Sequence, residues 1–291
     1  MRLDYPTLAG RRPDLVMLSA CLNGQTGPHR DYPGFGSQGA ALSGYTFLTG
    51  WPDRPPVGPF GTITDSLAPR FGAAALAAGL LHRRRTGRGV HLDLSQVEAA
   101  VWSLGPWIDR YRRTGEVTGR AGNRHPAAVP HGVFPCAGDD RWVAIAVWDD
   151  DEWARLAALA GLDVELGADL ATRLDRADAV EAAVAAWTAG RDPGEVAATL
   201  QAAGLEAVPV ADVGDCYADP QLAHRGHLLA HDHPVLGEGR YERNGFRLAD
   251  GTGGYDRASP LLGQDTAWVL GELLGLSEAE QARLREAGAV E

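Results

Sequence analysis

The chain has 291 residues, 45% of them hydrophobic, and a net charge of -11. That apolar share supports a packed core, and the 37 Gly and 18 Pro spread along the chain imply many turns rather than a disordered block. The negative charge argues against nucleic acid as a partner, and no apolar run approaches the roughly 20 residues that a membrane span needs.

DLVMLSA (14–20) is a short apolar run and predicts a buried strand. Residues 24–36 are turn-rich. AALSGYTFLTG (40–50) predicts a helix ending at Gly44 or Gly50, while the four prolines of 51–61 exclude regular structure. From Ser66 to His82 the pattern is helical, and Ala73, Ala74, Ala77 and Ala78 predict close packing of that helix on a sheet. HRRR (82–85) sits at its end, where cations offset the helix dipole. TGRG (86–89) reads as a turn and VHLDLS (90–95) as a strand. Leu94, Val97, Val101, Leu104 and Ile108 then mark the stripe of one further helix ending near 112–116.

Residues 114–132, rich in Gly, Pro, His and Arg, predict a linker. Beyond it, WVAIAV (142–147) is a strand, and helices are expected at 151–160, 176–190 and 194–203. The last opens with Asp192 as cap and Pro193 in the first helical position. Residues 205–213 read as extended, and 227–250 as a strand pair joined by GEG. Tail helices are expected near 265–274 and 278–287, the second opened by the capping box SEAE (277–280). No internal repeat is present. The order predicts an α/β protein with two lobes.

Several residues could carry chemistry. Asp65 stands just before the small-residue helix, and its spacing alone favours a helix N-cap. The alternative is a carboxylate nucleophile at a helix N-terminus, where negative charge is favoured. The glycines of GQTGP and PGFGSQG permit close approach to a ligand, but neither a phosphate loop nor a GxGxxG fingerprint is present. HDH (231–233) and the pair His125/His131 lack a third convergent ligand, so no metal is expected. No GxSxG elbow exists, and DDDE (149–152) reads as a solvated helix start. Cys21, Cys136 and Cys216 are odd in number and form no CxxC pair; each is expected to be a small buried residue in a reduced, cytoplasmic protein. MRLDYPTLAGRRPD at the start has no apolar signal core.

Seven stretches together resemble the family III CoA-transferases, the group of formyl-CoA transferase, carnitine CoA-transferase and α-methylacyl-CoA racemase. They are LDYPTL (3–8), RPDLVMLSACLNGQTGPHRDYPGF (12–35), ALSGYTFLTGWPDRPPVGP (41–59), TDSLAPRFGAAALAAGLLHRRRTGRGVHLDLSQVEAAV (64–101), HPAAVPHGVFPCAGDDRWVAIAV (125–147), DPQLAHRGH (219–227) and PLLGQDTAWVLGELLGLSEAE (260–280). The resemblance implies a Rossmann-like large domain over 1–113, a linker over 114–132, a smaller α+β domain over 133–222 and a return segment over 223–291. It implies an acyl-CoA:carboxylate CoA-transferase with Asp65 as the nucleophile, forming an aspartyl anhydride and then an aspartyl-CoA thioester. Such chemistry needs a dry site, because an anhydride hydrolyses readily. Pro33, Gly34, Phe35 and Gly36 match a segment that lies along bound CoA. A CoA thioester is then a substrate, no cofactor is bound permanently, and the partners are an acyl-CoA and a small carboxylic acid.

The chain departs from the family in two ways. The family's opening strand, turn and helix, which build much of the nucleotide pocket, have no counterpart before LDYPTL. The large domain is therefore expected to be incomplete at its N-terminus, and the assembly to be either a homodimer or a pairing with a chain that supplies that segment. A catalytically silent or split subunit is the corresponding alternative. The racemase branch places a histidine where this chain has Phe35, which disfavours a racemase or epimerase, although Asp149 falls near a racemase acid position.

Overall fold

In a computed structural model, the residues described are 3–249, 251 and 254–290. The chain divides between Pro209 and Val210 into two compact units, taken here in turn. Among the described residues no helix is long and apolar enough to cross a membrane.

The first unit opens with α1 (Tyr5–Ala9), capped by the Asp4 carboxylate, which accepts from Thr7 N at 2.9 Å. It continues through β1 (Val16–Cys21), α2 (Gly36–Leu42), α3 (Tyr45–Leu48), α4 (Ile63–Thr86) and β2 (Val90–Ser95). β1 and β2 pair in parallel, from Val16↔Val90 to Cys21↔Ser95. A parallel pair needs a long crossover, and α4 supplies it. The predicted strand at 14–20 is present, but its residues are mostly half-buried.

α4 seats on this pair through Gly72 and Gly79. A Cβ at Gly72 would lie 3.2 Å from Leu94 Cδ2, and one at Gly79 would lie 3.1 Å from Val16 Cγ1. Ala68 is buried on the same side, whereas Ala73, Ala74, Ala77 and Ala78 are exposed. The helix does pack closely on the sheet, but through its glycines rather than those alanines. It also starts three residues earlier than Ser66 and contains Pro69, whose missing N–H leaves the Asp65 carbonyl without its usual helical donor. Gly87, at φ 71°, ends the helix. Gly89 then passes so close to the β1 approach that an added Cβ would lie 2.5 Å from the Leu15 carbonyl carbon and 2.6 Å from Leu15 N. Backbone cannot yield as a side chain does, so Gly89→Ala is expected to cost roughly 3 kcal/mol, read as a lower urea midpoint.

After β2 the predicted single helix is two, α5 (Gln96–Ser103) and α6 (Gly105–Thr114). Pro106 in the first turn of α6 cannot donate, so the ladder breaks at Leu104. Leu104 is buried, whereas Trp107 and Ile108 are exposed.

A second sheet follows, made of β3 (His131–Pro135), β4 (Trp142–Ala146) and, later in the chain, β5 (Glu206–Pro209), all antiparallel in the order β3-β4-β5. Between β4 and β5 lie α7 (Asp150–Ala160), a 3-10 turn at Val164–Gly167, α8 (Leu170–Asp175), α9 (Ala177–Thr188) and α10 (Pro193–Ala202). The 3-10 turn and α8 were not expected from sequence. Alternation in β4 sends Val143 and Ile145 into a core with Trp153, Leu156, Val180, Val184, Val196 and Leu200. The Asp192 cap is present, its Oδ1 accepting from Gly194 N at 2.8 Å.

The second unit holds α11 (Val213–Ala218), α12 (Pro220–His224), the hairpin β6 (Leu228–His233) and β7 (Gly237–Glu242), α13 (Thr266–Trp268) continuing into a π turn at Val269–Leu273, and α14 (Glu278–Glu286). The hairpin turns at 234–236, not at GEG; Gly237, at φ 75°, and Gly239 lie within β7. Ser277 and Glu280 form the expected capping box, with Glu280 Oε2 accepting from Ser277 N at 2.8 Å. Of the cysteines, Cys136 is buried, Cys21 half-buried and Cys216 exposed. The expectation of three buried thiols therefore holds at Cys136 alone; Cys21 is half-buried, and Cys216 is exposed on α11, a short helix with no buried residue. Burial pushes the Cys136 thiol above its usual range, which leaves it unreactive.

Candidate active site

Asp65 is not the cap of α4. Thr62 takes that position, and Asp65 is the acidic residue of the first turn. A carboxylate there complements the partial positive charge of the helix start, worth roughly 0.3–1 kcal/mol. Gly72 and Gly79 follow Asp65 at seven-residue intervals, so all three share one face within a drift of about 20° per step. Gly79 meets Val16 and Val90 while Gly72 meets Leu18 and Leu94, so α4 runs antiparallel to the strands. Its start, with Asp65, therefore lies at their carboxyl ends, where open α/β sheets place ligands.

The side chain is exposed but held. Gln96 Nε2 donates to Asp65 Oδ1 at 2.8 Å. The other oxygen lies over Gly36, where an added Cβ would sit 2.5 Å from Asp65 Oδ2. The glycine's missing side chain thus makes the space that the carboxylate occupies. The buried Thr64 hydroxyl donates to the Gly36 carbonyl at 3.2 Å, tying the start of α4 to the start of α2.

Leu22 joins the remaining parts. Its carbonyl accepts from Val97 N at 3.0 Å and from the Ser95 hydroxyl at 3.2 Å, which fixes the start of α5 and hence Gln96. Its side chain packs beneath Gly34, whose added Cβ would lie 2.5 Å from Leu22 Cδ2, and beneath Gly39 at 3.0 Å. Ser95 caps α5 by accepting from Glu98 N at 3.2 Å. Three helix starts, those of α2, α4 and α5, therefore converge on one carboxylate.

Of the four glycine-segment residues expected along CoA, Gly36 is brought against Asp65. Pro33, Gly34 and Phe35 form the exposed approach to it, with Phe35 78% exposed. Leu22, Thr64 and Gln96 were not singled out from the sequence. SQVE (95–98) carries a capping-box signature that would have placed Gln96 at the first position of a helix. Arg83, Arg84 and Arg85 are exposed in the last turn of α4, at the opposite end from Asp65. Among the described residues no three His, Cys, Asp or Glu side chains gather as a metal site. Asp149 caps α7 by accepting from Glu152 N at 2.7 Å.

A second feature of this unit is a cavity of about 700 Å³ on the open face of the β3-β4-β5 sheet, floored by Ala144 and Ala146 and flanked by His131, Val133, Glu206 and Val208. His125, His131 and Trp148 cluster nearby, with ring centroids 5.2–5.9 Å apart; both histidines meet Trp148 edge-on and are tilted against each other. Arg124 in the wall is committed to Asp178 and to Glu181, the latter at 2.7 Å.

Residues 1–266 match the family described as CoA-transferase family III. The chain is 33% identical over 288 residues to the succinyl-CoA–D-citramalate CoA-transferase of Chloroflexus aurantiacus, covering 97% of this chain and 71% of that protein. To the beta subunit of a succinyl-CoA–L-malate CoA-transferase of the same organism it is 32% identical over 290 residues, again covering 97% and 71%. The crystal structure of a CaiB/BaiF family protein from Brucella suis shares its mixed α/β fold with a TM-score of 0.83 and 28% identity, over 93% of this chain and 71% of that one. With a match that begins before α1 and runs into α13, the chain belongs to CoA-transferase family III.

Proposed function

We propose that this protein is an acyl-CoA:carboxylate CoA-transferase in which Asp65 is the covalent nucleophile. The observation that carries the reading is the placement of Asp65: an exposed carboxylate at the carboxyl ends of parallel strands, held by Gln96 and seated over Gly36. One Asp65 oxygen attacks the thioester carbonyl; the C–O bond forms, the C–S bond breaks and CoA leaves as thiolate. The thiolate then attacks Cγ of the anhydride, expelling the donor acid as carboxylate and leaving an aspartyl-CoA thioester. An acceptor carboxylate reverses the sequence, so no proton or cofactor is consumed.

Relatives named for succinyl-CoA with D-citramalate or L-malate support a short dicarboxylic acid as donor. Relatives named as alpha and beta subunits support a second, related chain as partner, a copy of this one being the simplest case. The Rossmann-like character of residues 1–113 and the smaller domain at 133–222 belong to the same proposal. Phe35 stands where the racemase reading needs an acid–base group, and a phenyl ring supplies none.

Incubation with succinyl-CoA followed by peptide mass spectrometry is expected to find a CoA-sized adduct on the Asp65 peptide. Deuterium exchange at an α-carbon without such an adduct would replace this reading with the racemase one. Gly36→Ala offers a second check. Its Cβ would displace the carboxylate, and a misplacement near 1 Å lowers transfer roughly 100-fold, while a wild-type rate would show that the seat over Gly36 is irrelevant.

A further inference from the structure

We infer that the Gln96 side-chain amide is the oxyanion donor for the steps in which the Asp65 carbonyl is attacked. This rests on the reading of Asp65 as the nucleophile. Only the nitrogen of an amide can donate to a carboxylate, so the 2.8 Å contact fixes which end of Gln96 faces Asp65 Oδ1. Gln96 is half-buried and opens α5 directly after β2. The Ser95 cap and the Leu22 carbonyl hold it there, so the donor is in place before any substrate arrives.

The charge on Oδ1 changes through the cycle. In the resting carboxylate it is shared between two oxygens. Acylation of Oδ2 leaves Oδ1 a neutral carbonyl oxygen. When the CoA thiolate attacks Cγ, a C–S bond forms and the carbonyl π pair moves onto Oδ1, giving a full negative charge 2.8 Å from the Gln96 Nε2 atom. The pair returns as the Cγ–Oδ2 bond breaks and the donor acid leaves. Attack by the acceptor carboxylate on the aspartyl-CoA thioester puts the same charge on the same atom. A preorganised donor aimed at developing charge is the usual form of an oxyanion hole, and losing one typically costs 100- to 1,000-fold. Here the bond also exists in the resting state, which reduces the expected loss to roughly 10- to 100-fold.

Gln96 therefore assists the second and third steps more than the first, and its removal should strand the anhydride, where water competes with thiolate. The test follows exchange of isotopically labelled succinate into succinyl-CoA, together with release of free CoA by hydrolysis, in the full chain. Gln96→Ala and Gln96→Met are expected to lower exchange roughly 10- to 100-fold and to raise the ratio of hydrolysis to exchange, with KM for succinyl-CoA within about twofold. Gln96→Met keeps the length of the side chain and removes the donor without adding charge, so it carries the test if the alanine variant does not fold. A purely structural role would lower hydrolysis and exchange together, and an unchanged ratio in a folded variant overturns the inference. Asp65→Ala separates the two readings. If it still exchanges, both fail; if it loses exchange and hydrolysis while Gln96→Met behaves as wild type, only the role of Gln96 fails.

Discussion

Asp65→Asn is expected to lower CoA transfer by at least roughly 10³-fold, since removing the nucleophile of a covalent mechanism leaves only binding and positioning. Asparagine keeps the shape that fills the space over Gly36, and its Oδ1 still accepts from Gln96. The change therefore removes the attacking oxygen and little else, and the thermal midpoint should stay within a few degrees of wild type. Steady-state transfer from succinyl-CoA to labelled succinate measures the loss, and the CoA adduct should disappear from the residue 65 peptide in parallel. Transfer at the wild-type rate in this variant ends the covalent proposal, whichever acid is the natural donor.

The second large effect concerns stability. Arg173 in α8 is fully buried, donates through Nη1 to the Gly167 carbonyl at 2.9 Å and pairs with Asp150 Oδ1 at 2.9 Å. Its Nε and Nη2 have no partner among the described residues. Its stem fills the space between the 3-10 turn and Trp153, where a Cβ at Gly167 would lie 2.6 Å from Arg173 Cγ and 2.8 Å from Trp153 Cε2. A buried ion pair is weak evidence for stability, but breaking one by removing a single partner is costly. Asp150→Ala leaves the guanidinium buried with one carbonyl as its acceptor, and a loss of about 3 kcal/mol is expected. That is the low end of the range, because the Asp150 side chain is 56% exposed. Arg173→Met removes the charge and keeps most of the volume, so it should stay within about 1 kcal/mol of wild type or exceed it. Urea denaturation of the two variants decides the matter: equal losses would mean that the pair acts by packing alone.

Local features were legible in the sequence and distant ones were not. The strands at 90–95 and 142–147, the Asp192 cap and the Ser277 box each depend on residues within four positions, so spacing alone finds them. The start of α4 was misplaced because Thr62 makes no side-chain cap bond, leaving Asp65 as the apparent cap. The break between α5 and α6 was hidden by an apolar stripe that runs across Pro106. The close-packed face of α4 was assigned to alanines because they are more numerous, although Gly72 and Gly79 alone let the strand side chains reach the backbone. The pairing of Gln96 with Asp65 spans 31 residues through a helix and a strand, and no local pattern encodes it. The resemblance to the family drew attention to Asp65 without naming what holds it.

Gly72 stands midway between Gly79 and Asp65, about 10 Å from each along the axis at 1.5 Å per residue. α4 is therefore a balanced beam with Gly72 as its fulcrum. A methyl group added at Gly79 would lie 3.1 Å from Val16 Cγ1 and 3.2 Å from Val90 Cγ1; where those side chains do not yield, that end shifts by a few tenths of an ångström and the other end tips by a similar amount in the opposite direction. Nearly four turns of helix from the carboxylate, at about 3.6 residues per turn, such a change would alter where the carboxylate points and leave every residue around it intact.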